Sequence, residues 1–159
     1  MTSFVWMANV LGWPALQLGL SGLFLHLPVE WFENDNPLTA PRSWEHEGRL
    51  YRDGFAIRKW KPFLPDGAPW LGGLPKKSLC SRQDAQLARF LLETRRAELA
   101  HWIMLACLPV FFLWNPAWAR WVMTFYALAA NLPCIVAQRY NRVVLARVIA
   151  ARRRLMDYS

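Results

Sequence analysis

No lysine or arginine precedes Arg42, and no Asp, Glu, Lys or Arg interrupts the stretch from Phe4 to Leu27. A cleaved secretory leader opens on basic residues and ends on small ones. This stretch does neither, so it is expected to be a retained membrane span. Cysteine is scarce: Cys80, Cys107 and Cys134 show no pairing pattern and no CxxC spacing, which argues against a disulfide framework or a thiolate metal site. Cys107 and Cys134 fall in apolar runs and read as small hydrophobes, whereas Cys80 lies in a polar loop. The chain also lacks a GxSxG elbow, a P-loop and a GxGxxG turn, so a serine hydrolase, a P-loop nucleotide enzyme and a Rossmann dehydrogenase have no footing. The His-x4-Asp pair of many acyltransferases is missing too, because Ala106 stands at the Asp position after His101 and Tyr51 at that after His46.

What is present is segregated. The chain of 159 residues is 55% hydrophobic yet carries a formal charge of +8, and its basic residues cluster between Arg42 and Arg96 and between Arg139 and Arg154. They flank apolar runs rather than forming a nucleic-acid face, so anionic lipid or an acidic small molecule is the expected partner and nucleic acid is not. The ten tryptophans fit this reading, since several fall near the ends of apolar segments where indole rings favour the membrane interface.

The expected fold is an all-α integral membrane protein, one domain over 1–159 with about three hydrophobic helices. Residues 4–27 form a first span, reaching roughly 36 Å at about 1.5 Å per residue against a hydrocarbon core of about 30 Å. Pro14 is expected to kink it. Residues 28–83, broken by many prolines and glycines, form an irregular cytoplasmic loop with room for short strands. A helix over 84–114, capped by Ser81 or Asp84, enters the membrane. Its apolar part from Leu99 to Trp114 is short for a full crossing, so it is either drawn into the headgroup layer or re-entrant, with a bend at Pro109. Asn115-Pro116 is a tight reversal. A span over 117–138 follows, with Arg120 snorkelling at its outer end, and then a basic interfacial helix over 139–159. The positive-inside rule places the N-terminus outside and the central loop and C-terminus in the cytoplasm of a multi-pass cell-membrane protein.

The stretch Glu93 to Trp102 holds the chemistry most worth weighing. On a helix Thr94, Glu98 and His101 share one face, so Glu98 can orient His101 as a general base toward a hydroxyl proton. Spacing alone favours the plainer arrangement, in which Glu93, Arg95, Arg96 and Glu98 pair with one another at headgroup level. Glu45-His46-Glu47 offers no usable metal geometry, because adjacent side chains diverge, and no metal is expected. Arg58, Lys59 and Lys61 gather charge around Trp60, just before Pro65-Asp66-Gly67. They suit the phosphates of a coenzyme A donor or an anionic lipid surface equally well.

In order along the chain stand Trp44-Glu45 with Gly48, Arg58-Lys59-Trp60-Lys61, Asp66-Gly67, Glu93-Thr94, Arg96-Ala97-Glu98, His101-Trp102, Tyr126 with Asn131 and Pro133, and Gln138-Arg139-Tyr140-Asn141-Arg142. This series resembles the glycosyl-4,4'-diaponeurosporenoate acyltransferases of staphyloxanthin-type carotenoid synthesis. The resemblance runs from about Leu27 to Arg142. It implies transfer of a fatty acyl group from a thioester donor, acyl-CoA or acyl carrier protein, to a sugar hydroxyl of a glycosylated carotenoid or related glycolipid, with no separate cofactor. On that reading His101, Glu98 and, as a second base, Asp66 are the catalytic candidates. Arg58, Lys59, Lys61, Arg96, Asn131, Gln138, Arg139 and Asn141 are the substrate-binding candidates, with Asn131, Gln138 and Arg139 near a developing oxyanion. The competing reading is a non-catalytic membrane subunit that binds lipid or supports a complex.

Overall fold

The computed structural model describes residues 3–64 and 84–157. Helix α1 spans Ser3–His26, α2 is a single turn at Ile57–Trp60, α3 spans Asp84–Ala106 and α4 spans Ala117–Asp157. Three helical stretches, Ser3–His26, Gln86–Leu113 and Ala117–Arg154, are long and apolar enough to cross a membrane. The outward faces agree: Phe4, Trp6, Val10, Leu18, Trp118, Trp121 and Phe125 are all exposed, a patch that water would penalise and lipid accommodates.

Helix α1 forms because its apolar run carries no charge, and it continues through Pro14. Helix α3 stops at Ala106, and a 3-10 turn at Leu108–Leu113 follows with Pro109 in its first turn. The change from α-helix to 3-10 turn therefore falls beside Pro109, while the apolar stretch ending at Leu113 reaches spanning length by continuing back to Gln86.

The reversal at Asn115-Pro116 is anchored by side chains. Asn115 Nδ2 donates to the Phe111 carbonyl at 2.7 Å and to Asn9 Oδ1 at 2.8 Å, and Asn9 Nδ2 returns a bond to Asn115 Oδ1 at 2.8 Å. Trp114 Nε1 also donates to Asn9 Oδ1. This satisfies amides that would be costly in an apolar setting and fixes α1 to the α3–α4 turn. Arg120 folds back to donate to the Asn115 carbonyl at 2.9 Å. Just inside that end, Trp13 packs on Phe111, Met123 and Ala127.

Two expectations change. The region after residue 138 is not a separate interfacial helix, because α4 runs unbroken through Pro133 and through Gln138-Arg142 to Asp157. The reason is that the polar residues there face protein partners rather than marking a chain break. Nor does the described part of the loop contain strands. It is a chain of single helical turns at Val29–Phe32, Ser43–Gly48, Leu50–Gly54, Ile57–Trp60 and Lys61–Phe63.

This loop packs across α3 and α4. Arg95 on α3 donates to Asp35 Oδ1 at 2.8 Å and to the carbonyls of Phe32 and Glu33. Tyr51 and Ile57 bury against Ala137 and Tyr140 of α4. Near the polar ends of the two long helices, Leu87 and Phe90 pack on Leu145.

In the Ser43–Gly48 turn His46, Glu47 and Gly48 all adopt positive φ (47°, 56° and 85°). A left-handed residue other than glycine costs about 1–2 kcal/mol, so the surrounding contacts must hold it. A Cβ on Gly48 would stand 3.1 Å from Val143 Cγ1, which shows how closely this backbone lies on α4.

Candidate active site

Glu98 is fully buried on α3. One carboxylate oxygen accepts from Arg139 Nη1 at 2.7 Å and from Trp102 Nε1 at 3.3 Å. The other lies 2.7 Å from Arg142 Nη1, a close ion pair that is not aligned as a hydrogen bond. Arg139 also engages Glu45 Oε1 through Nε at 3.1 Å and through Nη2, Tyr51 Oη at 3.2 Å, and the carbonyls of Leu38 and Ala40. Arg142 donates to the Thr39 carbonyl at 2.6 Å. Two carboxylates and two guanidiniums thus form a charge-balanced buried cluster joining α3, α4 and the loop. Burial is the chief cause that holds the Tyr51 phenol above its ordinary range, partly opposed by the hydrogen bond from Arg139.

The expected Glu98–His101 couple is therefore not the one formed. Glu98 is drawn to the guanidiniums, which are stronger partners than a neutral ring. His101, half-buried one turn further along α3, has its Nδ1 2.9 Å from Asn131 Oδ1 on α4. Asn131 is fully buried and its Nδ2 donates to the Ala127 carbonyl at 2.9 Å. Only the amide nitrogen can donate to a carbonyl, so the amide oxygen must face the ring. That oxygen requires a proton on Nδ1, and in the neutral imidazole the lone pair is then on Nε2. In a neutral ring this contact favours the tautomer whose Nε2 can accept a proton.

Several substrate-binding candidates turn out to be committed elsewhere. Asn131 spends both ends of its amide on Ala127 and His101, and Arg139 spends its guanidinium on the ionic cluster, so neither is placed to meet an oxyanion. Arg96 pairs with Glu93 and reaches the Leu25 carbonyl. Asn141 is buried and accepts from Lys61, whose ammonium also sits 5.3 Å from the centre of the Tyr140 ring. Gln138 is half-buried on α4 and Lys59 is exposed. Arg58 donates from Nε to Tyr140 Oη at 3.3 Å and lines a cavity against α4. Asp66 and Cys80 lie outside the described residues. Among the described residues no group of His, Cys, Asp and Glu is arranged to hold a metal ion.

Sequence reasoning gave Thr39 and Tyr51 no part in a site, and it placed Glu45 and Arg142 in the series that carries the resemblance without assigning either a role in a cluster. The i, i+3 spacing of Arg139 and Arg142 was a usable signal, since it puts two guanidiniums on one helix face where buried carboxylates must answer them.

A family model described as glycosyl-4,4'-diaponeurosporenoate acyltransferase matches residues 28–151. Relatives of that name are similar over most of their length. The one from Staphylococcus aureus (strain bovine RF122 / ET3-1) is 31% identical over 86% of this chain and 83% of its own. The one from Staphylococcus haemolyticus (strain JCSC1435) is 34% identical over 82% and 76%. No solved structure matches. The matched region takes in the loop, His101, Asn131 and the whole buried ionic cluster, and the chain belongs to the glycosyl-4,4'-diaponeurosporenoate acyltransferase family.

Proposed function

We propose that this chain transfers a fatty acyl group from a thioester donor to a sugar hydroxyl of a glycosylated carotenoid or related glycolipid. The chemistry takes place where the polar ends of α3 and α4 meet the inner leaflet. The observation that supports this reading is the Ala127–Asn131–His101 series, in which Asn131 Oδ1 meets His101 Nδ1 and Nε2 serves as the base. His101 takes the acceptor's hydroxyl proton as the oxygen attacks the thioester carbonyl. The tetrahedral adduct collapses, the carbon–sulfur bond breaks, and the thiolate leaves with the proton returned by the imidazolium. Asn131 positions the ring. Glu98 belongs to the ionic cluster that holds the loop against both helices. The distribution of basic residues supports a cytoplasmic loop and C-terminus with the N-terminus outside.

The test is direct product analysis. Purified chain in detergent is incubated with acyl-CoA and a glycosylated carotenoid acid, and the products are read by mass spectrometry. An acyl ester on the sugar, absent without the chain, is expected. Hydrolysis of the donor without any acylated acceptor would remove the proposed acceptor class.

A further inference from the structure

The loop and α4 enclose a cavity of about 210 Å³ on the side of α4 where Tyr140, Val143 and Val144 form its floor. Its walls carry Arg49, Arg52, Arg58 and Arg147. We propose that this cavity is a binding site for a phosphoester anion, with Arg49, Arg58 and Arg147 as its principal ligands.

The charge balance is the first argument. Glu47 pairs with Arg147 at 3.0 Å, and Asp53 pairs with Arg52 at 2.8 Å. Among the described residues four guanidiniums therefore face two carboxylates, and their sum is net positive. Glu47 and Asp53 are largely exposed, so a phosphate can displace them at little cost. Arginine presents a planar fork matched to phosphate oxygens.

Construction is the second argument. The arginines come from three separate elements and are aimed by specific contacts. Arg58 is turned by its bond to Tyr140 Oη, and Arg49 reaches back to the His46 carbonyl at 3.4 Å. The strained left-handed turn at 46–48 lays the backbone directly on Val143, which brings Arg49 and the Arg147 face of α4 to one opening. Strain of this kind persists where the surrounding structure enforces it, often at ligand sites.

Size narrows the ligand. Drug-sized sites begin at about 300 Å³, so this cavity suits one phosphate and its first attached atoms rather than a whole nucleotide. Along α4, the floor at Tyr140–Val144 lies roughly 14–20 Å from Asn131 at about 1.5 Å per residue. At 3.6 residues per turn those side chains stand on the side of α4 opposite Asn131, so a pantetheine arm leaving the cavity would have to pass round the helix to bring a thioester to His101. A phospholipid headgroup offers the same phosphate chemistry. Assignment to the donor rests on the acyl-transfer reading, whereas binding of a phosphoester does not.

The experiment is calorimetric titration of the full chain in zwitterionic detergent with 4'-phosphopantetheine, with pantetheine, and with short-chain phosphatidylglycerol and phosphatidylcholine. Phosphopantetheine is expected to bind at least about tenfold tighter than pantetheine. Arg49→Gln and Arg147→Gln are each expected to weaken it about tenfold or more, as loss of a charge-assisted bond implies. Arg153→Gln, an exposed change outside the cavity, should leave binding as it was. Both test residues are exposed, and unchanged thermal unfolding verifies that the variants fold. If phosphatidylglycerol alone shows the arginine dependence, the phosphoester site stands and its occupant is lipid. Equal affinity for pantetheine and phosphopantetheine, with phosphatidylglycerol indifferent to the arginines, overturns the site. His101→Ala should bind phosphopantetheine normally, so loss of transfer with binding intact separates failure of the catalytic reading from failure of this one.

Discussion

His101 Nδ1 lies 2.9 Å from the side-chain oxygen of Asn131, and the Ala127 carbonyl prevents that amide from turning over. An imidazole on one helix thus has its proton assigned by a fully buried residue on another. Replacing Asn131 by Leu removes the acceptor and frees the tautomer. Steady-state kinetics are expected to show kcat lowered about tenfold or more with KM little changed, because positioned proton transfer contributes about 10²–10⁴-fold. A purely structural residue would instead lower the amount of folded enzyme and leave the kcat of what remains intact.

Glu98 makes the opposite prediction. Removing one partner from a buried ion cluster leaves an uncompensated charge and costs about 3–5 kcal/mol. Glu98→Ala should lower the thermal unfolding temperature sharply, and Glu98→Gln should do so less, since the amide oxygen still accepts one bond. If Glu98→Gln enzyme that remains folded lost most of its kcat, Glu98 would belong to the chemistry after all.

The two arginines and two carboxylates also explain what could be read in advance. The spans were legible because apolar runs without charge have few alternatives at this length, and Pro109 and Asn115-Pro116 mark their breaks. The polar stretch Gln138-Arg142 misled, since it looks like the end of a span. Arg139 and Arg142 are instead buried, and Glu45 and Glu98 make that tolerable so the helix can continue. Helical spacing put Glu98 and His101 on one face correctly. It did not reveal that a guanidinium far along the chain would outbid the ring for the carboxylate. Glu45–Arg139, separated by 94 residues, leaves no local trace in the sequence.

Gly48 at φ +85° lies against Val143, so Gly48→Ala adds both a left-handed penalty and a crowded Cβ. A loss of about 1–2 kcal/mol is expected, seen as a lower unfolding temperature in detergent together with weaker phosphopantetheine binding. Wild-type values for both would mean that the turn relaxes freely and does not shape the cavity.

Tyr51 supplies a pH dependence with a definite sign. Its folded phenol is held above the ordinary value of 10.0, so the folded state resists its ionisation. The associated stability is fully present below about pH 10 and is lost as pH rises through the folded value. Unfolding measured from pH 8 to pH 11 should show wild type losing stability at the alkaline end more steeply than Tyr51→Phe. Parallel curves would show that Tyr51 is not the group responsible.

The proposed chemistry depends on a base at His101, and single-turnover acyl transfer by His101→Ala measures that directly. With donor bound and the variant folded, the rate of sugar acylation is expected to fall by about 10²-fold or more, with donor affinity retained. A folded His101→Ala enzyme that acylates its acceptor at the wild-type rate would contradict it.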